Sequence, residues 1–271
     1  MAIKLKPNVS ISQYATLLSI ITVVLNDPFR LNKTISSLRD YYNDERFEHI
    51  IIDGNSSNET LNIIDVTKQY GNVKTLSESD DGIYDGMNKG ISLASGQFLL
   101  FLNCGDQILA SPSQMISWSS QFKDAPIDIA CFPCVIDDCG ISTRLEPKSP
   151  KKYITPTSHQ AMLFKHTFLA ENLYDSCYKI SADFDLYLRA DFDKIIIFPG
   201  LDALTLVERE GFSSENPLIA YKEYIQIVSS RLYGIEKILT LARIVSKAAT
   251  AILFKCLLSN KMQQKIRKIL I

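Results

Sequence analysis

Apolar residues follow two rhythms along this chain, and their alternation predicts its architecture. Leu17 to Leu25 is a continuous, β-branched apolar run that reads as a strand buried on both faces. Asp27 and Pro28 then supply a helix N-cap and a first-turn proline, and Leu31, Ile35 and Leu38 recur at helical spacing. Phe47 to Ile52 repeats the strand signal and ends at Asp53-Gly54, Ser57 to Tyr70 reads as a helix closed by Gly71, and Val73 to Leu76 is a third strand. Ile83, Met87, Ile91 and Ala94 fall on one helical face and Gly96 stops that helix. Gln97 to Leu102 is then a buried strand running into Asn103-Cys104-Gly105-Asp106. Four strands separated by three helices predict an α/β fold, a mostly parallel sheet with helices on both faces.

Beyond Asp106 the rhythm loosens. A helix is expected over Pro112 to Phe122 and a strand over Ile127 to Ile136, with a turn at Asp137-Asp138-Cys139-Gly140 leading back as a hairpin. Tyr153 to Phe164 carries Ser158-His159-Gln160, a helix starts at Ala182, and Ile195 to Phe198 and Ala203 to Val207 read as further strands. Pro217 to Ile271 is helical in character. The division expected is therefore one catalytic-sized domain over residues 1–215 and a helical region over 216–271.

Charge sharpens that division. The net charge of the 271-residue chain is −1, yet Arg231 to Ile271 holds nine Lys or Arg against one acid, Glu236, which gives +8 and leaves −9 for the rest. An acidic body excludes nucleic acid as the main ligand, whereas a basic tail suits an anionic surface. At 100° per residue, Lys237, Arg243, Lys247, Lys255, Lys261 and Lys265 fall within roughly a third of the helix circumference. Leu241, Ala242, Val245, Ala248, Ala249 and Ile252 fill another sector, as in a helix lying at a membrane interface or one packed on its own domain. Charges interrupt every apolar stretch well short of the roughly 18 residues that a spanning helix needs.

Lys4 and Lys6 before Ala15 to Leu25 resemble a secretory leader, but Asn26-Asp27-Pro28 offers no small-residue cleavage site, so the six cysteines are expected to be reduced. Cys131 and Cys134, with Cys139, have no nearby histidine or second CxxC to complete a zinc site and read as core packing.

The candidate chemistry lies in acids that follow or flank sheet elements: Asp53, Asp80 and Asp81, Asp106 and Asp183. In open α/β sheets ligands bind beyond the carboxyl ends of the strands, so acids there are placed to meet one ligand. Carboxylates accept hydrogen bonds from ribose hydroxyls and uracil N–H groups and bind hard divalent cations.

LLSIITVVLN, EHIIIDGNSSNET, SESDDGIYDGMNKGISLASGQFLLFLNCGD, TSHQAMLF and SADFDLYLR stand in the order of the landmarks of another group of proteins. Over roughly residues 17–210 the chain resembles a family 2 glycosyltransferase, and most closely the bacterial colanic-acid and O-antigen type. The resemblance implies a GT-A, Rossmann-like fold and an inverting transfer from a nucleotide-diphosphate-sugar, UDP-linked, to a lipid-linked oligosaccharide in surface polysaccharide synthesis. It also implies a cytoplasmic enzyme, peripheral at the inner face of the membrane.

Asp53 and Asp80 or Asp81 would then hold the uracil and ribose. Asn103 to Asp106 stands where most relatives have Asp-X-Asp, so Asp106 would ligate Mn²⁺ or Mg²⁺ on the diphosphate while Asn103 replaces the first acid. Asp183 matches the general base of the family's Glu-Asp motif, whose glutamate is Ala182 here, and Asp185 is its rival. His159 and Gln160 resemble a pair beside the donor phosphates or the acceptor, with a structural histidine as the alternative. Asn88 and Lys89 reach the diphosphate or solvate their helix face, and Tyr84 and Asp85 contact sugar or, for Tyr84, pack on the sheet. Two other functions compete: a sugar nucleotidyltransferase, which usually opens with a Gly-rich basic loop where this chain has Asn26-Asp27-Pro28-Phe29, and a non-catalytic nucleotide- or carbohydrate-binding module.

Overall fold

The computed structural model describes residues 15–138, 140–208 and 216–257. Its centre is a seven-stranded sheet built from β1 (Leu18–Val24), β2 (Phe47–Asp53), β3 (Val73–Ser77), β4 (Phe98–Phe101), β6 (Ile129–Cys131), β9 (Met162–Lys165) and β10 (Ile195–Ile197). The spatial order is β10-β6-β9-β4-β1-β2-β3, in which β9 runs antiparallel to both neighbours and every other pairing is parallel. A smaller sheet, ordered β5-β11-β7-β8, joins β5 (Gln107–Ile108), β7 (Cys134–Asp138), β8 (Ile141–Leu145) and β11 (Thr205–Glu208). The fold is the expected GT-A-like α/β arrangement.

Both faces of the large sheet are covered. One packs against α1 (Pro28–Ser37), α2 (Asn58–Thr67) and α4 (Pro112–Ser119). The other meets α3 (Ile83–Leu93), α5 (His166–Glu171), α6 (Ala182–Arg189), α7 (Pro217–Arg231) and α8 (Gly234–Leu257). Burial on both faces is why β1, β2 and β4 read as largely apolar runs, and the polar Ser19, Thr22, Glu48 and His49 within them are buried too. At the start of α1, Asp27 accepts the Arg30 N–H and Pro28 occupies the first turn.

Two expectations are corrected. The strand expected over Ile127 to Ile136 is two: β6 in the large sheet and β7 in the small one, separated by Phe132-Pro133, where proline cannot continue a central ladder. The buried face of α3 is Tyr84, Met87 and Ile91, while Ile83 is 39% exposed. Gly86 and Gly90 explain the rotation: a Cβ on either would lie within 3 Å of a branch of Val23 or Ile21, so the helix rests its bare backbone directly on β1. The described part of the region read as helical is two helices, because Leu232 to Gly234, with Gly234 at φ +58°, turns α7 into α8.

Gly96 does more than end α3. A Cβ there would lie 2.5 Å from the backbone nitrogen of Ser19 at the start of β1, where no side-chain rotation relieves the contact. Gly96→Ala is expected to cost about 2 kcal/mol, a fall of about 4 to 8 °C in melting temperature by calorimetry.

Cys131 and Cys134 are both fully buried, one in each sheet, and Cys139 lies outside the described residues. So do Lys4 and Lys6 of the leader-like segment, together with Lys261 and Lys265. Of the Lys247, Ile252 and Lys255 side chains of α8 nothing is described.

Candidate active site

The sheet changes direction between β1 and β4: the chain runs outward from β1 through β2 to β3, then returns to the other side of β1 as β4. A crevice at the carboxyl ends of such a pair is where open α/β sheets take ligands. Three loops rim it: Leu25 to Asp27 after β1, Asp53 to Ser57 after β2, and Asn103 to Asp106 after β4.

Asp53 is 1% exposed, and its carboxylate faces inward, accepting the Ser77 hydroxyl at 2.6 Å and the Ser56 N–H. It ties the end of β2 to the end of β3 and shapes the following loop. From the loop after β1, Asn26 (φ 51°) accepts the Ser57 N–H, and Ser56 in turn accepts the Asn26 N–H. Asp80, half-buried, leans over the same loop: a Cβ on Gly54 would lie 2.8 Å from its Oδ2, so glycine at 54 is what lets the carboxylate sit at the strand ends. Its Oδ1 accepts the Gly82 N–H. Asp81 is exposed beside it.

Asn88 and Lys89 are held by protein groups. Asn88 bonds both the N–H and the carbonyl of Tyr174, and Lys89 bonds the Ser79 carbonyl and pairs with Glu78 and Asp85. Together with Lys179, which donates to the Asp81 carbonyl, these contacts staple the acidic loop and α3 to the segment that leads into α6.

Asp183 opens α6 at the end of that segment. Its Oδ1 accepts the Phe184 N–H at 2.8 Å and lies 3.5 Å from the Tyr84 hydroxyl, which donates to the Ile180 carbonyl. Burial first, and then the negative charge of Glu223, push its carboxyl up to about 6. Such a group is ionised at neutral pH and still a competent proton acceptor. Asp185 is fully buried and spoken for by Arg231 at 2.8 Å and Arg189 at 3.1 Å.

His159 stacks on Phe101 of β4, and its Nε2 meets the Tyr174 hydroxyl at 2.5 Å; burial lowers it to about 4, which keeps the ring neutral. Tyr174 in turn stacks on Tyr84. Aromatic contacts thus run from the end of β4 to Asp183. Gln160 accepts the Ser158 hydroxyl through its side chain and the Thr205 hydroxyl through its carbonyl.

Asp106 is set apart, under α1. It is 3% exposed, with Oδ1 accepting the Glu208 N–H, Oδ2 buried and making no hydrogen bond of good geometry, and the Gln160 side chain close enough to stabilise its charge. Burial raises its carboxyl to about 7. The turn that carries it is fixed by Gly105 (φ +104°), where a Cβ would meet Glu208 and Arg30, and by Thr34, which donates to the Asp106 carbonyl.

Among the described residues no group of three or more His, Cys, Asp or Glu is disposed to hold a metal ion. The donor set fits a different case. A magnesium-type ion commonly takes one or two carboxylates and completes its shell with substrate phosphates and water, and Asp106 Oδ2 is a carboxylate oxygen without a hydrogen bond of good geometry, though a buried one.

The structure links His159 to Asp183 through Tyr174 and Tyr84 and sets Asp80 over the loop that Asp53 shapes, while Asp106 lies apart under α1, Asp81 is exposed and Lys89 is held by Glu78, Asp85 and Ser79. Tyr174 and Glu223 escape the sequence reading. Tyr174 carries no motif, and Glu223 is one acid in a segment whose overall signal is helical and basic.

Comparison with known proteins places the fold in a family. The description Glycosyl transferase family 2 matches residues 19–168. A glycosyltransferase of Mycobacterium tuberculosis is 30% identical over 188 residues, covering 65% of this chain and 69% of its own. A PGL/p-HBAD biosynthesis glycosyltransferase of Mycobacterium bovis is 26% identical over 206 residues, 73% of this chain and 78% of that protein. Among solved structures, S. aureus TarS 1-349 in complex with UDP superposes with a TM-score of 0.66 at 15% identity, covering 92% of this chain and 78% of that one. The mannosyltransferase PcManGT of Pyrobaculum calidifontis, in complex with GDP-Man and Mn²⁺, gives 0.59 at 14%, covering 94% and 80%. This chain belongs to glycosyl transferase family 2, and it is a glycosyltransferase.

Proposed function

We propose that this enzyme moves a sugar from a nucleotide-diphosphate donor, a UDP-sugar, to a hydroxyl of a lipid-linked oligosaccharide, with inversion at the anomeric carbon. The observation that carries the reaction is Asp183: a carboxylate raised to about 6, half-buried and joined through Tyr84 to the helix that follows the acidic loop. The donor class draws support from structural neighbours solved with UDP, UDP-GlcNAc and GDP-Man.

In this reading the base and ribose lie against the β1 and β2 ends, beside Asp80, with Asp53 ordering the loop beneath them. The diphosphate faces the Asn103 to Asp106 turn. Asp183 accepts the proton of the acceptor hydroxyl as that oxygen bonds to the anomeric carbon from the face opposite the leaving group. The anomeric carbon–oxygen bond to the diphosphate breaks, and its electron pair leaves with the nucleotide. A divalent cation carried on the diphosphate would be held by Asp106 Oδ2 and would supply charge neutralisation of that leaving group.

The lipid-linked acceptor and a peripheral place at the membrane draw support from α8. Thr240, Leu241 and Ile244 face the domain, while Ile235, Ile238, Leu239, Ala242 and Val245 form an exposed apolar stripe at helical spacing on the other side. Among the described residues no helix is long and apolar enough to cross a membrane, so such contact would be interfacial.

The test is incubation with a panel of UDP-sugars and a divalent cation, following UDP. Release of UDP is the expected result. Pyrophosphate would favour a nucleotidyltransferase, and binding without turnover a non-catalytic module.

A further inference from the structure

The turn that carries Asp183 is held from outside, by the helical region beyond residue 216. Glu223 of α7 is 6% exposed, and its carboxylate accepts three consecutive backbone N–H groups: Lys179 at 2.7 Å through Oε1, and Ile180 and Ser181 at 2.9 Å through Oε2. Two turns later Arg231, the last residue of α7, grips Asp185 on the first turn of α6. Between these grips Ile227 and Val228 are fully buried in the core shared with α6, and Tyr224 packs edge-on against Phe184 at 5.1 Å. A carboxylate is seldom buried unless its lone pairs are met, and three charge-assisted bonds to one turn are a specific way of meeting them.

We infer that Glu223 is a positioning residue for Asp183: its clasp on residues 179–181 fixes where the base stands, making α7 part of the catalytic apparatus. The inference rests on the reading of Asp183 as general base. Without the clasp, three adjacent N–H groups lose their acceptor, and the turn before α6 would relax away from the Tyr84 contact. The titratable groups facing Asp183 are Glu223 and Tyr224 on α7, Tyr84 on α3 and Tyr174 in the connecting loop. Burial raises all three tyrosines, which stay protonated, so the negative charge facing Asp183 from this set is that of Glu223.

The experiment compares the full-length protein with Glu223→Gln, Glu223→Asp and Asp183→Asn, measuring UDP affinity by thermal shift and UDP release against pH on the UDP-sugar that the panel selects. Gln keeps the length but removes the charge and turns an N–H₂ group toward the amides; Asp keeps the charge on a shorter arm. Glu223→Gln is expected to lower kcat about tenfold and to shift the acid limb of the profile down by about half a pH unit, with UDP affinity unchanged. Glu223→Asp should keep the wild-type midpoint and recover part of kcat.

A Glu223→Gln enzyme with unaltered kcat and midpoint, beside an inactive Asp183→Asn, overturns this inference alone. The same holds if both Glu223 variants lower kcat equally with no shift of midpoint, as purely structural damage would. Full turnover by Asp183→Asn overturns the assignment of the base and the inference with it.

Discussion

Asp183→Asn is expected to lower turnover about a thousandfold while leaving UDP affinity within about twofold of the wild type, since a positioned general base contributes about 10² to 10⁴ and does not touch the nucleotide. The amide is isosteric and can still accept the Phe184 N–H through its oxygen, so the fold of the α6 turn survives. What it lacks is a lone pair basic enough to take the acceptor's proton. The wild-type profile should carry the same signature. With the carboxyl raised to about 6, the base form dominates at neutral pH and is lost below that value. Turnover should therefore level off above about pH 7 and fall about tenfold per unit below about pH 5. Asp185→Asn should act differently: two arginines lose the charge they share in a fully buried site, so its main effect is on stability, expected at about 3 kcal/mol in denaturant titration.

The second large effect concerns place rather than chemistry. Ile235, Ile238, Leu239 and Val245 are 53 to 66% exposed along one side of α8, an arrangement that water does not favour. Replacing all four by Ser is expected to weaken binding to anionic phospholipid vesicles about a hundredfold or more, because each apolar side chain entering an interface contributes roughly 1 kcal/mol. The helix keeps its inner side, Thr240 and Ile244, so α7 and the clasp on Asp183 remain in place. UDP release in detergent-free solution should then match the wild type. Loss of UDP release together with vesicle binding would show that the stripe serves folding instead.

Much of the fold was legible because burial on both faces of the parallel strands leaves long β-branched runs that nothing else in the chain imitates. Of the acids singled out, Asp53 falls where a strand stops, whereas Asp80 and Asp106 lie in the loops that follow β3 and β4 and Asp183 opens α6. The errors have local physical causes. Packing of Tyr84 on the sheet was one of its two expected readings and holds, whereas Gly86 and Gly90 contribute no apolar side chain, so a periodicity count misses the close approach they permit and wrongly adds Ile83 to the buried face. Pro133 breaks an apolar run in two without altering its hydropathy.

The site was less legible than the fold. Asp53 ends β2 and Asp106 lies in the turn after β4, but whether such a carboxylate faces a ligand or turns inward to Ser77 or the Glu208 amide depends on partners 24 and 102 positions away. Glu223 lies 42 positions beyond the last amide it holds, inside a segment whose composition points toward a membrane. The buried acid lies on α7 and the exposed apolar stripe on α8, and the periodicity of a single sequence reports the more apolar of the two.

The most direct test of the account is to locate UDP in a crystal of the protein grown with UDP and Mn²⁺. The account places the nucleotide between the ends of β1 and β4, with its base beside Asp80 and Gly54 and its diphosphate toward Asn103 to Asp106. UDP found elsewhere, such as in the groove that Asn32, Arg39, Asn62 and Tyr70 line between α1 and α2, would contradict it.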